Sequence, residues 1–215
     1  MHNLAFLVDV DNTLLDNDWI ERDLKDHLER NFGLDACKRY WTILEDLRGE
    51  LGYADFLGAL QRYRLERVNE PRLLLMSSFL VDYPFADRLY PKALQVLRHL
   101  STMGLVVIVS DGDAVFQPRK VDRSGIWAAV EGRVLIYVHK EEMLDDIEHH
   151  YSATRYVFID DKLRLLTAVK KVWGDRVTTI FPRQGHYAHD PEVLRTYPAA
   201  DITVAHIAEL LNYVV

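Results

Sequence analysis

Among 215 residues the sequence has a single cysteine, Cys37. One thiol excludes an internal disulfide, and in helix-like sequence it reads as a small buried apolar residue. Long apolar runs are missing too. No stretch approaches the ~20 residues that a membrane-crossing helix needs, and the run near the N-terminus is broken by Asp9 short of signal-peptide length. The cytoplasm is the compartment expected from this. Basic tracts are absent and the formal net charge is −7, so no nucleic-acid or membrane partner is expected. An anionic small molecule stays open, because a bound divalent cation can dominate a local field. No Gly-x-Gly-x-x-Gly follows the first apolar run, which disfavours a dinucleotide-binding oxidoreductase.

What is present is an ordinary globular composition, 49% hydrophobic and 27% charged, in a length that suits one large domain or a domain with a sizeable insertion. Leu4–Val8 reads as a buried strand, followed by Leu105–Val109, Val134–Val138, Tyr156–Ile159, Val177–Phe181 and the weaker Ile202–Val204. Between them lie amphipathic stretches. Leu94, Leu97 and Leu100 share a helical face, with Pro91 suited to a first turn and Gly104 to a C-terminal cap. Leu144 and Ile147 with Met143 make a second face. Leu165, Leu166, Val169 and Val172 make a third, closed by Gly174. His149 and His150 read as the end of a helix. Alternating strands and helices predict a doubly wound parallel α/β sheet, Rossmann-like in plan.

Residues 16–85 break that rhythm. Their apolar positions are helical throughout, from Ile20, Leu24 and Leu28 to Leu73–Leu80, with Gly33, Gly49, Gly52 and Pro71 as punctuation. The pattern predicts an α/β core of residues 1–15 and 86–215 with an all-helical cap of about four helices inserted just after the first strand. Ligands of open α/β sheets bind at the carboxyl ends of strands, so such a cap lies over the site.

The strand ends carry the chemistry. Asp9 and Asp11 follow the first strand on alternate positions and point the same way if the strand continues. Ser110-Asp111-Gly112-Asp113 follows the second, His139-Lys140 the third, and Asp160-Asp161-Lys162 the fourth. Clustered carboxylates suit a hard cation such as Mg²⁺. The Ser110 hydroxyl and the amides of Asp111 and Gly112 suit an oxyanion, and Lys140 adds a positive point charge. Lys120 competes for that charge but reads as part of a solvated segment, Pro118-Arg119-Lys120, so Lys140 is preferred. Lys162 reads as a first-turn residue facing solvent, Asp113 as a cap or a surface acid, and His186 and His189 as loop. In the cap, Trp19, Arg22 and Arg48 are candidate substrate contacts, each set against the plainer reading of a core Trp or a solvated Arg.

These four segments, in this order around a helical insertion, resemble the haloacid dehalogenase superfamily. The likeness is to its helical-cap members similar to phosphoglycolate phosphatase and β-phosphoglucomutase. The resemblance implies an Mg²⁺-dependent phosphatase acting on a small phosphorylated metabolite. Asp9 is then the nucleophile, forming an aspartyl-phosphate, and Asp11 the general acid and base. Mg²⁺ is then held by the Asp9 carboxylate, the Asp11 carbonyl and Asp161, with Asp160 nearby. Ser110, Asp111, Gly112 and Lys140 hold the phosphate. Dehalogenases of the superfamily lack an acid at the place of Asp11, so phosphate is favoured over halide. Leu165 stands where many relatives carry Asp or Asn.

A phosphomutase or phosphonatase shares the scaffold, the latter needing a cap lysine for which Lys25 and Lys38 are the only candidates. A phosphoreceiver or other regulatory binding domain, the non-enzymatic alternative, places adjacent acids after its first strand and has no helical insertion.

Overall fold

The computed structural model describes residues 2–213. Six parallel strands, β1 (His2–Val8), β2 (Leu105–Asp111), β3 (Val134–Tyr137), β4 (Ala153–Ile159), β5 (Val177–Pro182) and β6 (Ile202–Val204), form one sheet in the order β3-β2-β1-β4-β5-β6. Each strand expected from an apolar run is present. Their continuous hydrophobicity follows from burial on both faces. Phe6, Val8, Val106, Ile108, Val157 and Ile159 point to one apolar layer, and Ala5, Leu7, Val107, Val109, Tyr156 and Phe158 to the other. The chain goes from β1 to β2 and β3 on one side, then returns to place β4 on the other side of β1. The carboxyl ends of β2, β1 and β4 therefore flank a crevice at the point where the winding reverses.

Four helices follow β1 within residues 16–85: α1 (Asn17–Phe32), α2 (Leu34–Leu51), α3 (Phe56–Glu66) and α4 (Leu73–Asp82). Their starts and stops are written locally. Asp16 Oδ1 accepts from the Trp19 amide at 2.9 Å and Asp55 Oδ1 from the Gly58 amide at 2.7 Å, each capping a helix. Gly52 ends α2 in the left-handed region at φ 81°, its amide bonded to Arg48 O. The apolar faces of these helices join Phe85, Phe116 and one face of the sheet in a single cluster. Entry to and exit from the insertion run side by side: the Asp16 amide donates to Arg88 O at 2.8 Å and the Tyr90 amide to Leu14 O at 2.9 Å, and Leu15 bridges Leu89.

The remaining helices are α5 (Ala93–Ser101), α6 (Phe116–Arg123), α7 (Ile126–Ala129), α8 (Leu144–His150), α9 (Leu163–Trp173) and α10 (Pro191–Thr196). Several details depart from the sequence pattern. Pro91 lies in a turn ahead of α5, and Lys92, at φ 66°, precedes its first residue. Gly104 does not cap α5. Its Cα crosses β1 so closely that an added Cβ would lie 2.7 Å from Leu4 O, and this approach is what requires glycine. Val172 is 63% exposed on the last turn of α9, and Trp173 takes the buried place, its ring stacked 4.4 Å from that of Tyr156. Among the described residues no helix is long and apolar enough to cross a membrane. Cys37 is a buried free thiol.

Candidate active site

β1 stops at Val8, so Asp9 and Asp11 are not on one pleat of a continuing strand as expected. The Asp9 amide still donates to Ile159 O at 3.0 Å, but the chain then folds back, with Val10 O accepting from the amides of Leu14 and Leu15. This tight loop needs a left-handed residue, which Asn12 supplies at φ 58°. The Asn12 carboxamide accepts from the amides of Asn17 and Asp18 and donates to Asp18. The same turn thus separates the two acids and starts α1.

Asp9 enters a buried cluster. One carboxylate oxygen each of Asp9, Asp160 and Asp161 lie within 4.8 Å of one another. Three carboxylates so placed repel strongly. Lys140 offsets part of this, its Nζ lying 2.5 Å from Asp9 Oδ1, 2.7 Å from Asp160 and 3.1 Å from Val109 O. Burial alone would lower the Lys140 pKa, but the carboxylates of Asp160, Asp9 and Asp111 raise it and keep the ammonium charged. Burial pushes Asp160 and Asp161 upward, against the charges of Lys140 and Lys162; Asp9 adds to the rise of both, and Asp160 to that of Asp161. Both carboxylate oxygens of Asp161 are buried without a hydrogen-bond partner. Orphaned carboxylate oxygens beside two further carboxylates form an all-oxygen donor set, which fits a hard divalent cation.

Asp11 has different surroundings. Its two oxygens accept from Lys120 Nζ at 2.7 and 2.9 Å, and that ammonium also reaches Asn17 Oδ1 at 2.9 Å. Lys120 is 1% exposed, so its reading as a solvated residue is corrected. Phe116, Gln117, Lys120 and Val121 share the buried face of α6, and the apolar Phe116, four positions before Lys120 on that helix, was the available signal. Gln117 Nε2 donates to Ser110 Oγ at 2.9 Å and contacts Asp11 Oδ2 at 3.4 Å.

A cavity of about 140 Å³ lies over these groups. Asp11, Asp111, Gly112, Lys120, Asp161 and Lys162 line its floor, and Glu21, Arg48 and Tyr53 reach it from the insertion. It is small beside the roughly 300–1,000 Å³ of drug-sized sites. Asp161 belongs to both the acid cluster and the cavity wall. Lys162, expected in solvent, faces this cavity instead, half-buried.

The expected oxyanion cradle is only partly available. The Gly112 amide is committed to Tyr137 O at 2.9 Å, and Asp111 Oδ1 accepts from the Lys140 amide at 2.8 Å. Burial pushes the Asp111 carboxyl up, opposed by Lys140. The Lys140 ammonium is engaged inside the protein by Asp9, Val109 O and the ion pair with Asp160, and it does not line the cavity, so it positions Asp9. Asp113 caps α6, accepting from the amides of Val115 and Phe116.

Of the three candidate cap contacts, only Arg48 reaches the cavity, bonded at 3.0 Å to Glu21, whose carboxyl burial pushes up. Trp19 is 43% exposed with the Arg22 and Arg88 guanidinium groups over its ring, and neither Trp19 nor Arg22 lines the cavity.

The segment after β5, read as plain loop, closes one side. His186 bonds Asp18 through both its amide, at 2.8 Å, and Nδ1, at 2.6 Å. Gln184 donates to Thr13 O at 3.0 Å. Gly185 packs against Asn12 so tightly that an added Cβ would overlap its side chain. On the opposite side Gly52 abuts His139 in the same manner.

A parallel sheet with acids at three strand ends beneath a set of helices is shared with known hydrolases. The family model for haloacid dehalogenase-like hydrolases matches residues 4–172, and the chain belongs to that family. Among solved structures it is similar to a haloacid dehalogenase-like hydrolase from Burkholderia xenovorans LB400, with 60% identity, all of both chains covered and a TM-score of 0.96. The HAD-hydrolase YfnB from Bacillus subtilis, bound to magnesium, shares the fold at 16% identity and TM-score 0.63, with 98% of this chain and 97% of that one covered. An L-2-haloacid dehalogenase does so at 14% identity and TM-score 0.67, with 98% of each chain covered. No curated protein matches the chain.

Proposed function

We propose that this hydrolase cleaves phosphate monoesters of small metabolites and depends on Mg²⁺, with residues 16–85 acting as the cap over the site. The observation that carries the reading is the division between the two acids of the first loop. Asp9 sits in the acid trio, while Asp11 stands apart on the cavity wall, held by Lys120. Loss of a halide needs no proton donor, whereas an alkoxide leaving group does.

In the proposed reaction Lys140 fixes Asp9 through Oδ1. An Asp9 oxygen attacks phosphorus in line as the bond to the ester oxygen breaks. Asp11 delivers a proton to that oxygen and, as a carboxylate, then takes one from the water that attacks the aspartyl-phosphate, freeing Asp9 and inorganic phosphate. Lys120, itself anchored on Asn17, holds the Asp11 side chain in one orientation for both steps. Asp9, the Asp11 carbonyl, Asp161 and the adjacent Asp160 would hold Mg²⁺, which supplies charge to offset repulsion between the nucleophile and the phosphoryl oxygens. The Schiff-base route to phosphonates has little support: Lys25 lies over the Trp41 ring and Lys38 is exposed, and neither lines the cavity.

The test is hydrolysis of a panel of phosphate esters with and without Mg²⁺. Native protein should turn over at least one ester only with the metal, and Asp9→Asn should abolish it. Undiminished turnover in Asp9→Asn, or release of halide from a haloacid without any ester cleavage, overturns the reading.

A further inference from the structure

Among the described residues, four cationic side chains line the cavity: Arg48, Lys120, Lys162 and His186. Three of them are already matched. Arg48 is bonded to Glu21, His186 to Asp18, and Lys120 spends its three N–H groups on Asp11 and Asn17. Lys140, beneath them, donates to Asp9 and Val109 O and is ion-paired with Asp160.

Lys162 differs. Among the described residues its ammonium has no hydrogen-bonded or ion-paired carboxylate; it feels Asp161, Asp160 and Asp9 only as a field and lies 5.4 Å from the centre of the Tyr187 ring. The aromatic face steadies the side chain without using its donors. Its backbone is fixed too, because the Lys162 amide donates to Asp160 Oδ1 at 2.8 Å, which points the residue at the same strand end as the acids.

Charge counting sharpens the point. The three carboxylates of the trio and the Lys140 ammonium leave a deficit that one divalent cation cancels. An arriving phosphoryl dianion then needs a positive partner that is not already committed, and Lys162 is the one lining the cavity.

We propose that Lys162 is the cationic ligand of the substrate's phosphoryl oxygens, donating to them across the cavity, while Lys140 acts as a positioning residue for Asp9. This rests on the phosphatase reading, and the experiment separates the two. Inorganic phosphate is titrated calorimetrically, in the presence of Mg²⁺, into native protein and into Lys162→Met and Lys162→Arg, alongside ester hydrolysis by the native protein. Loss of one charge-assisted hydrogen bond should weaken phosphate binding tenfold or more in Lys162→Met, and Lys162→Arg should restore most of it. Native-like affinity in Lys162→Met overturns the assignment, as does equal loss in both variants, which would mark a packing role. A native protein that neither binds phosphate nor cleaves any ester overturns the phosphatase reading instead.

Discussion

Asp11 and Lys120 form a pair whose worth lies in orientation. Lys120 is anchored on the buried face of α6 and bridges Asp11 to Asn17, the first residue of α1. Replacing it with Met keeps the bulk and removes the grip. Because a small misplacement of a proton-transferring group is costly, kcat should fall about ten- to a hundredfold with KM little changed, read from steady-state kinetics on the best ester. Asp11→Asn removes the proton itself and should cost about 10²–10⁴ in kcat. This pair also marks the boundary of what the residues disclosed. The four acids were legible because unneutralised carboxylates directly after apolar runs have no structural excuse. Lys120 was not, because its partner lies more than a hundred positions away and Pro118-Arg119 just before it reads as a solvated segment. Only the apolar Phe116, four positions before it on the helix, hinted at burial.

At the level of elements, the contacts between insertion and core invite two tests. His186 is held charged above the ordinary histidine range by its hydrogen bond to Asp18, against the opposing effect of burial. For Asp18, burial pushes up but the hydrogen bonds of His186 and Asn12 outweigh it, so its carboxyl sits below the usual value. The raised histidine contributes stability fully below about pH 6.5 and loses it as pH climbs through the folded value. The lowered aspartate contributes above about pH 4 and loses it on acidification. Tm of the native protein should therefore decline more between pH 6 and 8.5 than that of His186→Ala, measured by thermal unfolding across the range. Gly52→Ala meets both a left-handed backbone and the His139 ring. It should cost about 1–3 kcal/mol, measured by denaturant unfolding. The helices themselves were readable from apolar spacing and caps. These cross-element contacts were not, since a lone histidine after a glycine carries no periodicity.

For the whole molecule, the buried acid cluster is a liability that a cation relieves. If Mg²⁺ occupies it, the ion binds the folded state alone, and at a hundredfold excess over Kd it stabilises by about 2.7 kcal/mol. For a chain of this length that corresponds to a rise in Tm of roughly 5–10 °C, checked by differential scanning fluorimetry with and without the metal. Asp161→Asn should lose most of the rise, since Asp161 brings the two orphaned oxygens. The sheet order could not be read from the strands alone, because six similar apolar runs do not state which neighbour each will take. The reversal at β1 emerges only when both sides of it are filled.

The ribbon joining Leu14 and Leu15 to Leu89 and Tyr90 makes the chain leave the sheet and return to it at one place. Asn17 and Asp18 lie beside that junction, bonded to Lys120 and His186, so in the proposed reaction the grip on the proton-handling acid is built where the two crossings meet. Arg48 and Tyr53 reach the cavity from the other end of α2, where Gly52 lies against the His139 ring. One end of α2 therefore shapes what the cavity admits, and the start of α1 fixes the acid that acts on it.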